Sequence, residues 1–266
     1  MLDLIVASGT TLFFNILQLA AGCILSIPIF FLDSSMIKEK QPTIMRDLLF
    51  ITMFTIFGAA LPLNIYGVLP IAAALLHLGF KSYIVLPVIV SNLLFNMLIP
   101  FNDAGFIWRT GSNRVVFALI FGIAAGLIFK TFKFIGDDVF NLKNMPTIDR
   151  QSIHIRGIGS VLGKYINGIG LYLVIGVLLD SLFQKYVLTE VFNLIFTNSY
   201  TASIPQLFGT YNVGNPFFQL TMKIIYTMLD LVKISGLLAI LKPKGFVTVL
   251  GYHLIWIVLL TVLASI

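Results

Sequence analysis

A broken apolar segment carries the chemistry that stands out in this sequence. It contains the run Pro-Leu-Asn-Ile-Tyr-Gly-Val-Leu-Pro, which begins at Pro62 and ends at Pro70. Proline removes a backbone donor and clashes with the preceding helical turn, so Pro62, Gly67 and Pro70 are predicted to act as structural hinges. The carbonyl groups freed there must face protein or a water-lined cavity, because hydrocarbon offers no donor. Asn64 and Tyr66 place an amide and a phenol at this break and are candidate substrate-binding residues, with a tight turn between packed helices as the alternative.

Two asparagines on the next apolar segment are further substrate-binding candidates. Asn92 and Asn96 are four residues apart and therefore share one face of a helix. They could line a polar path beside Asn64. They could equally form interhelical hydrogen bonds that hold the bundle together.

A second break, rich in hydroxyl groups, is predicted between residues 198 and 205. Its candidates for binding substrate are Ser199, Thr201 and Ser203, and Pro205 is its predicted hinge. Hydroxyls at a broken membrane helix can coordinate an ion or substrate, and they can also cap the freed backbone.

Three charges fall inside a predicted helix, Pro216–Leu241, at positions Lys223, Asp230 and Lys233. A charge at the bilayer centre costs about 2.5–3.5 kcal/mol on insertion scales, so each needs a reason. Asp230 and Lys233 are three residues apart and can pair on one face. The three charges are predicted to form a proton- or substrate-linked coupling site that faces the second hairpin. The alternative is structural, with Asp230 and Lys233 as an ion pair and Lys223 extending toward the membrane surface.

The overall composition indicates an integral membrane protein. Apolar residues make up 58% of the 266 residues and charged residues only 11%, against about 45–50% and 25% in soluble domains. The net charge of +6 comes mostly from loops between apolar runs, which is the positive-inside bias and not a nucleic-acid surface. The sequence contains no phosphate-binding loop, metalloprotease motif, nucleophile elbow or pair of catalytic carboxylates. We therefore expect no enzyme activity, cofactor or metal site.

The predicted fold class is all-α, a polytopic membrane protein with about 8 helical segments and two broken, re-entrant hairpins. Residues 1–129 form a first membrane repeat, and its broken hairpin is 48–79. Residues 130–164 form a cytoplasmic linker. Residues 165–266 form a second repeat, and its broken hairpin is 187–210.

The distribution of basic residues predicts that the two repeats have opposite orientations. Basic residues in the central linker, in the loop 33–47 and at Lys242 and Lys244 place these three segments in the cytoplasm. Both ends of the first hairpin are then cytoplasmic, and both ends of the second are outside. Inverted repeats of this kind are typical of transporters, whose substrate sites lie where broken helices meet near the midplane.

The spacing of small and polar residues in the first half also suggests a family. The positions concerned are Pro62, Gly67, Pro70, Leu78, Gly79, Ser91, Asn92, Asn96, Arg114, Gly122 and Gly126. They resemble the motif of the YraQ-type permease family, which includes the methylarsenite efflux permease. The resemblance implies a permease architecture over most of the chain.

The chain departs from this family at the site itself. Asn64 and Tyr66 stand where the family has two cysteines, and Asn96 is followed by Met97 where the family has Asn-Pro. In the arsenical permeases those thiols are implicated in binding trivalent arsenic, and hard oxygen ligands would not replace them. The resemblance therefore implies the architecture but not the arsenical substrate.

The function expected from these observations is secondary transport of a small solute, with export implied by the family analogy. The substrate would bind between the two broken hairpins of a multi-pass protein in a plasma membrane, of bacterial type. The expected partners are the lipid bilayer and a small-molecule or ion substrate, with no nucleic acid. A homo-oligomer or a partner membrane subunit stays open. The alternative function is a transport-inactive scaffold or subunit of a larger complex.

Overall fold

The computed structural model describes residues 2–32, 44–98, 111–131, 139–141, 157–183, 186 and 230–265. Within these ranges the chain is all-helical, which confirms the all-α part of the predicted class, and it forms one isolated bridge between Phe140 and Leu241 but no strand. The polytopic arrangement stays a prediction. The helices are Leu2–Phe31 (α1), Ile44–Ala60 (α2), Ile65–His77 (α3), Ser82–Leu98 (α4), Gly111–Thr131 (α5), Gly157–Leu182 (α6), Leu231–Ile240 (α7) and Pro243–Ser265 (α8).

The polarity of the bundle is reversed relative to a soluble protein. On α1, the aromatic side chain of Phe13 is 64% exposed, whereas the amide side chain of Asn15 is only 3% exposed. On α6, Leu171 is exposed and Asp180 is buried. Apolar side chains thus cover the outside and polar side chains lie between helices, an arrangement suited to a hydrocarbon surrounding.

Two helical segments in the described part of the chain are long and apolar enough to cross a membrane. They are Ser8–Ile29 within α1 and Leu162–Leu182 within α6, as judged from length and composition alone. In each, only 28% of the most apolar window is buried, so neither resembles the core helix of a soluble protein. These two helices and the reversed polarity indicate association with a membrane.

The first broken segment folds back on itself. The helix α2 ends at Ala60, a short non-helical stretch follows, and α3 begins at Ile65. Beyond the end of α3, the Phe80 ring packs edge-on against Phe50 and Phe54 of α2, with ring centroids 5.1 and 4.9 Å apart. The segment after α3 therefore lies against α2, and the break between α2 and α3 lies at the opposite end of both helices.

The interruption is shorter than the sequence predicted. Pro62 lies in the non-helical stretch, but Gly67 and Pro70 lie within α3, which continues through both. The helix tolerates Pro70 because the residues from Ile65 to Leu75 are all buried among neighbouring helices, and tertiary packing supports a helix whose backbone lacks one donor.

Part of the central linker packs beside the turn between α7 and α8. The Asn141 N–H donates to the Ile240 carbonyl at 2.7 Å, and the Lys242 N–H donates to the Val139 carbonyl at 2.9 Å. The linker and the turn containing Lys242 thus share one end of the bundle, as the orientation prediction requires. The linker's side of the membrane remains a prediction.

The prediction of one continuous helix from Pro216 to Leu241 is wrong, because the chain is not helical at Asp230. The helix α7 begins only at Leu231, and Asp230 is its N-cap, because the Asp230 carboxylate accepts a hydrogen bond from the Lys233 N–H at 3.0 Å. A short acidic side chain competes for the first free amides of a helix and so favours a start over a continuation. Lys223 and the second hairpin, 187–210, lie outside the described residues.

A half-buried ion pair and a tyrosine join three helices at the end of the bundle opposite the break. The Lys130 ammonium of α5 lies 2.9 Å from the Asp47 carboxylate of α2, which also accepts a hydrogen bond from the Tyr83 hydroxyl of α4 at 2.7 Å. Burial alone would raise the pKa of the Asp47 carboxyl. Hydrogen bonds from Tyr83 and Lys130 outweigh burial and lower that pKa below its ordinary value of 3.8.

We expect Lys130→Met to lower the free energy of unfolding by about 1–3 kcal/mol at neutral pH, because it leaves a buried carboxylate without its cation. The folded pKa of Asp47 is depressed, so its stabilisation is complete above the ordinary pKa of 3.8 and is lost as pH falls through the folded pKa. Chemical unfolding in detergent from pH 7 to 3 checks this. The double variant Asp47→Asn, Lys130→Met should recover stability, and a double variant no more stable than the single one would contradict the account.

Candidate functional site

Three amide side chains meet at the start of α3, and we call Asn15, Gln18 and Asn64 the amide cluster. Asn64 is the N-cap of α3, and its Oδ1 accepts a hydrogen bond from the Gly67 N–H at 3.2 Å. Its Nδ2 donates to Asn15 Oδ1 at 2.7 Å, and its backbone N–H donates to Gln18 Oε1 at 3.2 Å. The cluster ties the break to the middle of α1 and is only partly buried at Asn64 and Gln18.

The amide of Asn92 satisfies the backbone that the break sets free. Asn92 is 0% exposed, and its Nδ2 lies 3.2, 3.2 and 3.0 Å from the carbonyl oxygens of Gly58, Leu61 and Leu63. A membrane protein must supply donors for carbonyls that lose their helical partners. The structure therefore places Asn92 behind the break as its main donor.

Tyr66 faces a different neighbour from Asn64. Its hydroxyl lies 2.8 Å from Ser235 Oγ on α7, and Ser235 donates its own proton to the Val232 carbonyl at 2.9 Å. Tyr66 is consequently the donor to Ser235. The side chain is fully buried, so it joins α3 to α7 and does not line the partly exposed amide cluster.

The predicted intramembrane charges lie at the start of α7. The Lys233 ammonium is 2.6 Å from Asp230 Oδ2, and both side chains are about 30% exposed (30% and 27%). Asp180 of α6 adds a second carboxylate there, since its Oδ1 accepts the Leu231 N–H at 3.1 Å. Two carboxylates at a helix N-terminus are stabilised by its free amides and dipole.

Sequence reasoning missed several residues of this site. Asn15 and Gln18 belong to a polar stripe on one face of α1, and the spacing of Ser8, Thr11, Asn15 and Gln18 by three or four residues was the available signal. Asp180 gave no such signal, because its partner is a backbone amide 51 residues away.

The remaining predicted residues cannot be placed. Asn96 lies on α4, but its side chain is outside the described part of the structure, as are Ser199, Thr201, Ser203 and Pro205. That the two breaks face each other therefore stays a prediction. In the described ranges, no group of three or more His, Cys, Asp or Glu residues is close enough to hold a metal ion.

In the part of the chain that the structure describes, fold and site indicate an all-helical, membrane-associated protein with a broken helical hairpin whose interruption is lined by amides. Comparisons with protein families, curated proteins and solved structures found no match to this chain.

Proposed function

We propose that this protein is a multi-pass membrane permease, a secondary transporter of a small solute, and that the solute passes the break between α2 and α3. The observation that carries the proposal is a partly exposed polar cluster at a helix break inside a bundle whose outer surface is apolar. Broken helices with polar lining are the usual substrate sites of such transporters.

The arrangement around the break supports this reading. Asn92 lies within hydrogen-bond distance of the carbonyls of Gly58, Leu61 and Leu63 from behind, so those carbonyls do not depend on the amide cluster. Asn64 and Gln18 form hydrogen bonds at the break, and the exposed part of each side chain can also meet a solute. In the full proposal the second hairpin, 187–210, belongs to the other repeat and approaches the break between α2 and α3. The proposed location in a plasma membrane and the proposed direction, export, follow from the family resemblance.

The Asp230–Lys233 pair is proposed as the coupling element. It lies at the start of α7, and Ser235 of the same helix bonds to Tyr66 of α3. A movement of the Asp230–Lys233 pair can therefore be transmitted to α3 at the break through the buried hydrogen bond between Tyr66 and Ser235. Its partial exposure allows water or an ion to reach it, which a purely structural pair would not require.

The proposal is tested by the accessibility of the cluster to water from each side of the membrane. Cys23 is the single cysteine in the sequence, so Cys23→Ala gives a cysteine-free background. We expect Gln18→Cys in this background to react with the membrane-impermeant cation MTSET in both right-side-out and inside-out vesicles. Its labelling rate should be at least about tenfold above that of a cysteine in the packed interior.

Two control positions on the same helix sharpen the result. Leu19→Cys places the thiol in the fully buried core, and Phe13→Cys places it on the exposed apolar face. Neither should label, because water reaches neither. Labelling of Gln18→Cys from one side only would indicate a closed pocket, and absence of labelling from both sides would reject the path.

The alternative function, a transport-inactive scaffold, also has a specific observation behind it. The residues Ile65–Leu75 of α3 are all buried, Tyr66 among them, and so is its partner Ser235 on α7. A scaffold needs such a packed interior but no aqueous path. Unlabelled Gln18→Cys together with a stoichiometric membrane partner on purification would favour it.

A further inference from the structure

Basic side chains from the ends of three helices meet at the end of the bundle opposite the break, and we call Arg46, Lys81 and Lys130 the basic patch. The Lys130 ammonium lies 2.9 Å from Asp47 Oδ2, and Arg46, the preceding residue of α2, interacts electrostatically with the same carboxylate. The Lys81 and Lys130 ammonium groups lie 5.8 and 5.9 Å from the centroid of the Tyr83 ring. Three cations therefore gather around one carboxylate and the tyrosine that is bonded to it.

The backbone fixes the position of Lys81 at this end. Gly79 has a φ of 98°, a left-handed conformation that turns the chain after α3. The Lys81 carbonyl then accepts hydrogen bonds from the N–H groups of Ile84 and Val85 at 2.9 and 3.2 Å, which places Lys81 at the N-cap position of α4. Its side chain is exposed. Lys81 is therefore a cation that is anchored by its backbone and accessible from outside the bundle.

The basic patch lies at the edge of three uncharged helical segments. Residues 48–60 of α2, 82–98 of α4 and 115–129 of α5 contain no Asp, Glu, Lys or Arg. At the same end, the first two side chains of α2, Ile44 and Met45, are apolar and are 81% and 77% exposed. Exposed apolar side chains beside a group of cations indicate the depth at which the hydrocarbon meets the phospholipid headgroups.

The charge at this end of the bundle is positive. Asp47 offsets one of the three cations of the basic patch, so these four described residues carry an excess of two positive charges. The adjoining segments do not reverse the sign, since residues 33–47 contain three basic and three acidic residues, and residues 130–164 contain six basic and three acidic residues. Cations that are held close together repel each other, and a bound anion relieves that repulsion.

We propose that the basic patch binds the headgroup of an anionic phospholipid. The phosphodiester accepts hydrogen bonds from Lys81 and Arg46, which suit phosphate oxygens, and the acyl chains lie along the exposed apolar side chains at the start of α2. Basic pockets between membrane helices are typical headgroup sites. A zwitterionic lipid brings its own cation, which the patch repels. This inference goes beyond transport, because it holds equally for a transporter and for a scaffold.

Native mass spectrometry of the full-length protein in detergent tests the proposal. The probe is phosphatidylglycerol, and the reference is phosphatidylcholine with the same acyl chains. We expect phosphatidylglycerol to bind at least about tenfold more tightly, because each nearby Lys or Arg contributes about fivefold. Inorganic phosphate should not displace it, since phosphate lacks the acyl chains. Equal binding of the two lipids, or displacement by phosphate, would overturn the assignment to a lipid.

Variants at Lys81 test the site itself. Lys81→Gln removes one exposed charge and leaves the Asp47–Lys130 pair intact, so it should weaken phosphatidylglycerol binding about fivefold. Lys81→Arg keeps the charge and should bind as the wild type does. Arg46→Gln removes a cation from a different helix, should weaken binding by a similar factor, and decides the matter if Lys81→Gln does not fold. Unchanged binding in the folded glutamine variants would remove the site.

A matched lysine elsewhere distinguishes a local site from general attraction to a basic protein. Lys164 is an exposed lysine of α6, a helix that packs against α1 and α7. Lys164→Gln makes the same change in net charge as Lys81→Gln and should leave phosphatidylglycerol binding unchanged. An equal loss of binding in the two variants would show attraction without a site and would overturn the proposal.

Discussion

Replacing Asn92 by leucine is expected to lower the free energy of unfolding by roughly 3 kcal/mol, the cost of leaving buried acceptors unsatisfied. The Asn92 amide nitrogen lies within 3.2 Å of three carbonyl oxygens at the break, and the residue is fully buried. Leucine has a similar shape but no donor. Water cannot easily replace the amide in a site that is closed to solvent, so the carbonyls of Gly58, Leu61 and Leu63 would lose their partner.

The adjacent residue provides the control for this experiment. Ser91 is equally buried, but among the described residues its hydroxyl bonds only to the Val88 carbonyl one turn earlier in the same helix. Ser91→Ala should therefore cost less than about 1 kcal/mol. Thermal unfolding in detergent would compare the two variants. Equal losses would show that Asn92 acts through packing and not through its donor.

Substitution of Gly22 by alanine is expected to lower the free energy of unfolding at least as much as Asn92→Leu, by about 3 kcal/mol or more. A Cβ at Gly22 would lie 1.9 Å from the Gly67 carbonyl oxygen and 2.7 Å from its carbon. Those atoms are backbone, so no side-chain rotation relieves the clash, and α1 must move away from α3. Small residues permit such close approach of membrane helices.

The same movement should disturb the amide cluster. Gly22 lies one turn beyond Gln18, so separating α1 from α3 lengthens the bonds from Asn64 to Asn15 and Gln18. Gly22→Ala should therefore change the MTSET labelling rate of Gln18→Cys as well as stability. A folded Gly22→Ala protein in which Gln18→Cys labels at the unchanged rate would show that the cluster does not depend on this contact.

Gly9 offers a matched substitution on the same helix. In the described part of the structure a Cβ at Gly9 meets nothing within 4 Å, so Gly9→Ala should leave packing intact. Because alanine is the better helix former by about 1 kcal/mol, this variant should be as stable as the wild type or slightly more so. A destabilising Gly9→Ala would point to a general intolerance of α1 and not to the contact with Gly67.

The sequence alone was sufficient for the features that depend on local chemistry. Composition determined that the chain is helical and suited to lipid. Pro62 and the polar residues after it marked the break, which the structure places between Ala60 and Ile65. The spacing of Asp230 and Lys233 predicted their ion pair, found at 2.6 Å, since both partners lie within one helical turn.

Only the tertiary structure decided which groups meet at the site. Asn64 bonds to residues 49 and 46 positions earlier, and the Tyr66 hydroxyl bonds to Ser235, 169 positions later. Such contacts depend on the rotation and depth at which one helix packs against another, and spacing within a single helix does not encode them. The separation of Asn64 toward α1 and Tyr66 toward α7, two residues apart on the chain, follows from that packing. Physically, local dihedral preferences and hydropathy act on each segment by itself, whereas the site exists only where segments are in contact.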